Sequence, residues 1–336
     1  MANKVLYFPY IRVPENVWFT QVLLYWDQVG SIIPSEFLGQ SNKLGNYMEE
    51  LIQADLVKPI HPGDYIHKIP NFEEPFLNLI KNNPTIEKRK GNALEKRETF
   101  RIHIEKFSPL IFDLCDMGLA KEVGYPWYEV ESLTADLYMT YLASVLGKLT
   151  NLQMDPITDR VNSLTVYSKL PGNISSIDNH LSSLRMGVLE SILPVPAEGI
   201  TVEELANFKK RNFDLLTRFR RYVESSLIDI ALISDVNLRG EKIRIFKEEL
   251  DDQLNEIQAL MHERKWPKII LGTVAAAMPL AGTLITGFLP LALLDLPPLA
   301  FAIHSALGEA KKEKKEILKS PLAYVAMAQE KFGNTL

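Results

Sequence analysis

His61, Asp64 and His67 surround a Pro-Gly turn and are residue types that bind metals. No further ligand stands at a recognised spacing, such as C-x-x-C or H-E-x-x-H, so no metal site is expected there. The single cysteine, Cys115, sits at the end of the apolar run that starts at Leu110, and a packed thiol is expected rather than a nucleophile. No G-x-S-x-G, no G-x-x-x-x-G-K-[ST] and no helix-opening G-x-G-x-x-G occurs. No catalytic, cofactor-binding or metal-binding residue is therefore assigned, and no cofactor is expected. An enzyme ranks only third among the functional readings.

Charge gives two candidate surfaces. Lys88, Arg89 and Lys90 lie in the strongly charged stretch 86–98, where acids interleave at helical spacing. That pattern predicts an exposed helix or mobile loop. Lys209, Lys210, Arg211, Arg218, Arg220 and Arg221 fall on one predicted helix. Of these, Lys210, Arg211, Arg218 and Arg221 make the candidate basic face, which is either simply solvated or in contact with anionic lipid headgroups or nucleic acid. The net charge of −5 gives no general pull toward nucleic acid, which is not an expected partner.

The elements that must position these residues are dominated by one stretch, Ile269 to Leu307. It is free of charge from Ile269 to Leu294, and Asp295 is its lone formal charge before Glu309. About 20 apolar residues suffice to cross a bilayer as a helix. Pro279 and Pro290 break a straight helix, so a hairpin of short arms is expected. Gly272, Ala276, Gly282 and Gly287 would let those arms approach closely, and Leu284 lies in the second arm. Trp266 beside Lys268 suits a headgroup-level anchor, and lysines on both flanks favour both ends on the cytoplasmic face. The candidate membrane-binding residues are accordingly Trp266, Lys268, Gly272, Ala276, Pro279, Gly282, Leu284, Gly287 and Pro290. The competing reading is a helical hairpin buried in a soluble core, since apolar segments this short between breakers also suit core helices.

The 336 residues suggest about two domains, and 46% hydrophobic with 24% charged residues exclude a disordered chain. One cysteine excludes an internal disulfide and fits a reducing cytosol; no secretory signal is expected at the start. Val5 to Val13 predicts a short edge strand because Pro9 lies inside it. A helix with Trp18, Val22, Tyr25, Trp26, Val29 and Ile33 on its apolar face is expected to run to Pro34. Asn42 to Asp55 and Pro109 to Met117 each predict a helix leading into a short extended piece. Long helices are expected over 129–149 and 176–192.

The main boundary is placed at Pro196, giving domains 1–196 and 197–336. Thr201-Val-Glu-Glu204 is a capping box that opens the second half. One helix carrying Leu205, Phe208, Leu216, Phe219, Val223, Leu227, Ile230 and Ile233 is expected to follow. After a break near 235–240, a second carries Ile243, Phe246, Leu250, Leu254, Ile257 and Met261, and the two predict an antiparallel pair with a coiled-coil-like seam. A closing helix is expected over 322–332.

The run Leu6-Tyr-Phe-Pro-Tyr-Ile-Arg12, then Trp18, Leu24-Tyr-Trp-Asp27 and Ile32-Ile-Pro34, resembles the N-terminal signature of an uncharacterised bacterial family, a domain of unknown function abundant in actinobacteria. The resemblance continues loosely through Trp127, Leu137-Tyr-Met139 and the ending at Ser320. It implies no activity; sporadic occurrence implies mobile or defence-type gene neighbourhoods.

The expected fold is mainly α, with a few short strands in the N-terminal half and a long helical pair leading into the hydrophobic hairpin. The leading functional expectation is a non-enzymatic membrane-associating or membrane-perturbing protein, an effector or sensor of a bacterial anti-phage-type defence module. It is expected in the cytoplasm at the inner face of the cell membrane. The second expectation is a soluble protein-interaction module with a buried hairpin. Expected partners are a membrane or a protein, with a homo-oligomer open.

Overall fold

The computed structural model describes residues 4–37, 39–90, 94–160, 176–195, 200–263 and 317–333. The chain divides into two compact units: Met1–Ser183 with Ile200–Phe208, and Leu184–Gly199 with Lys209–Leu336. It is predominantly helical, with the described strands short and all in the first unit.

The first unit is built on a parallel sheet that the periodicity did not predict. Strands β1 (Lys4–Tyr7), β2 (Gln28–Ile32), β3 (Val57–Ile60) and β7 (Asp155–Ile157) lie in the order β3-β2-β1-β7. All three pairings are parallel. β1 is thus an interior strand, not the edge strand expected from Pro9. The proline lies two residues beyond Tyr7, where the ladder has ended and no donor is required.

The helix expected to reach Pro34 is also shorter. α1 (Val17–Tyr25) starts at Asn16, whose side chain accepts from the Phe19 N–H at 2.9 Å. It stops at Trp26, and residues 28–32 form β2. Short apolar runs do not distinguish helix from buried strand by spacing, and a parallel strand buried on both faces shows no alternation. Val29 and Ile32 are fully buried.

The two helix-into-strand units exist and turn alike. A Gly45 break (φ +85°) separates α2 (Ser41–Leu44) from α3 (Asn46–Gln53), which leads to β3 through Asp55 at φ +56°. There the Leu56 N–H donates to the Leu51 carbonyl at 3.0 Å. α6 (Leu110–Asp116) leads to β5 (Ala120–Gly124) through Gly118 at φ +68°, with the Leu119 N–H bonded to the Leu114 carbonyl at 2.9 Å. Both are the six-to-one hydrogen bond of a left-handed helix stop. Their strands join different sheets, however, so the units are not a structural repeat.

β4 (Thr99–His103), β6 (Trp127–Glu131) and β5 form a second, antiparallel sheet in the order β4-β6-β5. α4 (Glu73–Lys81) and the single turn α5 (Pro84–Glu87) precede it. The helix expected over 129–149 is α7 (Ser132–Gly147), since 129–131 belong to β6. α7 is buried almost all round, including Thr134, Asp136, Tyr138, Thr140 and Leu142, and packs on β1, β4, β6, β7 and α4. Glu131 caps it, accepting from the Thr134 N–H at 2.9 Å and the Thr134 hydroxyl at 2.8 Å. Arg89 pairs with the same carboxylate, so part of the charged stretch is tied to this helix cap.

In the second unit, the C-terminal part of α8 (Ser176–Ile192) accompanies α10 (Phe213–Ala231), α11 (Val236–Glu263) and α12 (Ala323–Phe332). α10, α11 and α12 each pack on the other two. The expected face of α11 is buried at Phe246, Leu250, Leu254, Ile257 and Met261. Phe219 and Tyr324 stack with centroids 6.2 Å apart, and Arg185 makes two bonds to Glu224, at 2.5 and 2.8 Å. The capping box holds: the Glu204 N–H donates to the Thr201 hydroxyl at 3.2 Å, and the Thr201 N–H to Glu204 at 3.1 Å. The helix it opens, α9 (Val202–Arg211), ends before Asn212, so the expected single long helix is two.

Candidate functional site

At the carboxyl ends of the parallel strands the chain opens a cleft of about 600 Å³. The strand order places β2 and β3 on one side of β1 and β7 on the other, so the connections diverge beside β1. In open parallel sheets this divergence leaves a crevice at the carboxyl ends, the usual place for a ligand. Pro9, Tyr10, Ile11 and Arg12 follow β1 into the cleft wall, Phe37 and Lys43 follow β2, and Arg101, Ile102 and His103 of β4 with Trp127 of β6 close the far side.

Lys106 is the chemically distinctive lining residue. Its side chain is 3% exposed, and burial alone pushes its amine down to about 7. The Nζ donates to the Pro9 carbonyl at 3.3 Å. The neighbouring Glu105 faces another way: it accepts from the Ser35 N–H and hydroxyl, each at 2.7 Å. A buried ammonium is costly unless an anion compensates it, and this one has a neutral carbonyl instead.

The other cations are held by local bonds. The Arg12 guanidinium donates through Nε to the Lys43 carbonyl at 3.2 Å, joining the β1 and β2 loops. Lys43 lies over the Phe37 ring at 5.6 Å, with Glu36 at 3.9 Å. Arg101 is largely exposed and reaches Glu129 across the strand pair at 3.4 Å.

Phe37, His103 and Trp127 meet edge to face, with centroids 5.1–6.3 Å apart. His103 is buried, its Nδ1 accepting from the Glu105 N–H at 3.2 Å and its Nε2 3.4 Å from Glu36. Burial lowers its pKa, outweighing Glu36 and Glu105, which raise it, so the ring is neutral at pH 7. Among the described residues no serine, cysteine or carboxylate lines the cleft, and its charged lining residues, Arg12, Lys43, Arg101 and Lys106, are all basic.

A recess of about 40 Å³ adjoins the cleft, sharing Pro9, Tyr10, Arg101 and Ile102. Arg160, from the carboxyl end of β7, is set in it by Asp136 at 3.1 Å and lies over the Phe100 ring at 4.5 Å. The next residue inward, Asp159, accepts from the Tyr7 hydroxyl at 3.2 Å and ties the ends of β1 and β7 together.

None of the described sequence-nominated residues lines this cleft. His61 Nδ1 bonds the Ile33 carbonyl at 2.9 Å and His67 Nδ1 the Gly63 carbonyl at 2.8 Å. Among the described residues no cluster of three metal-ligating side chains occurs. Cys115 packs against the core, and burial raises its thiol. Lys210, Arg211, Arg218 and Arg221 are exposed, the first two on α9 and the others on α10, whereas Lys209 and Arg220 are buried. Trp266, Lys268, Gly272, Ala276, Pro279, Gly282, Leu284, Gly287 and Pro290 lie outside the described residues. Among the described residues no helix is long and apolar enough to cross a membrane.

The cleft escaped sequence reasoning because its residues come from four separate stretches, 9–12, 37–43, 101–106 and 127, none a motif by itself. The one available signal was Lys106, a lysine among Ile104, Phe107 and Leu110. No family model, curated protein or solved structure matches the chain.

Proposed function

We propose that the first unit binds a small anionic ligand in the cleft at the carboxyl edge of its parallel sheet, and that the protein is a ligand-responsive, non-enzymatic one. The observation that carries this is Lys106: a buried amine lining an open cleft, bonded to a carbonyl and, among the described residues, to no carboxylate. Arg12, Lys43 and Arg101 on the same cleft supply further charge and hydrogen-bond donors. Titration calorimetry with inorganic tripolyphosphate tests it. Saturable binding is expected, weakened at least tenfold by Lys106→Met; a flat titration at millimolar anion would overturn the reading.

We propose further that the second unit delivers the Ile269–Leu307 segment to the inner face of the cell membrane. Support comes from the sequence of that segment, uncharged to Leu294 and flanked by lysines, and from α11, which ends at Glu263 shortly before it. In this reading α10 and α11 form the antiparallel pair that positions the hairpin, and the anion-binding unit restrains or releases it, as suits a sensor-effector of a defence module. The competing reading keeps the hairpin inside the protein as the core of a soluble interaction module. Flotation of the purified chain with anionic lipid vesicles separates them. Co-flotation lost in Ala276→Lys with folding intact supports insertion; a chain that stays at the bottom of the gradient and unfolds on the same change supports burial.

A further inference from the structure

We propose that the anion taken by this cleft is a nucleotide, its base set against the Phe37–His103–Trp127 ring cluster and its phosphates on Lys106, Arg12 and Arg101. This rests on the anion-binding reading above and narrows it. An inorganic phosphate fills only a small part of a cleft of about 600 Å³, a size typical of whole small-molecule sites. The cluster supplies flat aromatic surface: Phe37 and Trp127 are only partly buried, and both line the cleft. A base stacked on such a ring gains roughly tenfold or more in affinity. His103 braces Trp127, its β-partner on the next strand, with ring centroids 5.1 Å apart.

The phosphates are not held as in a glycine-rich dinucleotide loop. The segment from Phe8 to Asn16 contains no glycine, and the Phe19 N–H at the start of α1 is taken by Asn16. Charged side chains must therefore carry the phosphates, which makes binding strongly salt-dependent. The buried Lys106, paired with no carboxylate among the described residues, gains in a phosphate a counter-charge.

The test compares the four ribonucleoside triphosphates with inorganic tripolyphosphate on the full chain, by calorimetry and by Trp fluorescence. At least one nucleotide is expected to bind ten or more times tighter than tripolyphosphate. Trp127→Leu, which keeps apolar bulk, should reduce that ratio to near one. Phe37→Ala should act in the same direction, and circular dichroism checks that both variants fold. Lys106→Met should weaken nucleotide and tripolyphosphate together. If tripolyphosphate binds as tightly as every nucleotide, the nucleotide inference falls and the anion site stands. If nothing binds, both fall.

Discussion

The hydroxyl of Tyr138 donates to the backbone carbonyl of Lys106, so a helix buried almost all round directly fixes the peptide that carries the cleft's lysine. The same ring stacks on Phe107 at 4.3 Å and meets Phe76 edge-on at 5.2 Å. α7 therefore sets where the amine projects.

Tyr138→Phe keeps those ring contacts and strands one buried carbonyl. The expected cost is about 1–3 kcal/mol of stability, read as a lower denaturant midpoint. Anion affinity should fall as well, through the loosened Lys106 peptide. Unchanged affinity alongside lost stability would confine the bond to a structural role.

Lys106→Met should weaken anion binding at least tenfold and yet stabilise the empty protein, by roughly 1–3 kcal/mol at neutral pH. The sign follows from proton linkage. Between about pH 7 and the ordinary lysine value of 10.5 the unfolded chain holds a proton that the folded amine has lost. Wild-type stability should accordingly rise with pH across that window, and the methionine variant should lose this dependence. Below about pH 7 both states are charged and the burial cost is complete. Denaturation curves at pH 6, 7.5 and 9 on both proteins check this.

Ligand affinity carries the opposite sign. The anion needs the charged amine, so affinity should weaken as pH rises through about 7, after correction for the phosphate's own ionisation. Lys106→Met should flatten that profile in whatever binding remains.

Much of the helical structure after residue 200 was legible beforehand. The α11 stripe from Phe246 to Met261 repeats at three and four residues over many turns, and the Thr201–Glu204 box has its signature within four residues. The parallel sheet was not legible, because β1, β2, β3 and β7 are three to five residues each and lack the alternation of a half-exposed strand. The cleft stayed hidden for a related reason: Tyr10, Lys43, Arg101 and Trp127 become neighbours only when two sheets have formed. Arg89 illustrates the limit of charge patterning, since one cation of an apparently solvated run pairs with the buried Glu131.

Glu131→Gln should cost about 1–2 kcal/mol, the usual loss for a helix cap, and should make the first unit less steeply acid-sensitive. Burial alone would raise the Glu131 carboxyl. Hydrogen bonds from Thr134 and Leu133, with Arg89 beside it, outweigh that and hold it below the usual 4.5. Its contribution is complete above that value and is lost as pH falls through the depressed folded pKa. Acid titrations of both proteins by circular dichroism report the difference.

Gly147→Ala should destabilise the first unit by about 1–3 kcal/mol or more, since a Cβ there would lie 2.2 Å from the Met154 carbonyl oxygen. That clash pushes on the turn into β7, so the variant should also lose the Tyr7–Asp159 bond and bind anions more weakly. Equal stability of variant and wild type in a thermal melt would contradict so tight an approach.

The interior position of β1 has a consequence during synthesis. Residues 4–7 are bounded on one side by 28–31, but their other partner is 155–157. At ordinary ribosomal speeds the second partner emerges roughly 10–30 seconds after the first strand. Through that interval one edge of Val5-Leu6-Tyr7 has its backbone groups unclaimed, inviting pairing with another nascent chain. Chains cut short before Asp155 should accordingly collect in inclusion bodies or on chaperones, whatever the fate of the second unit.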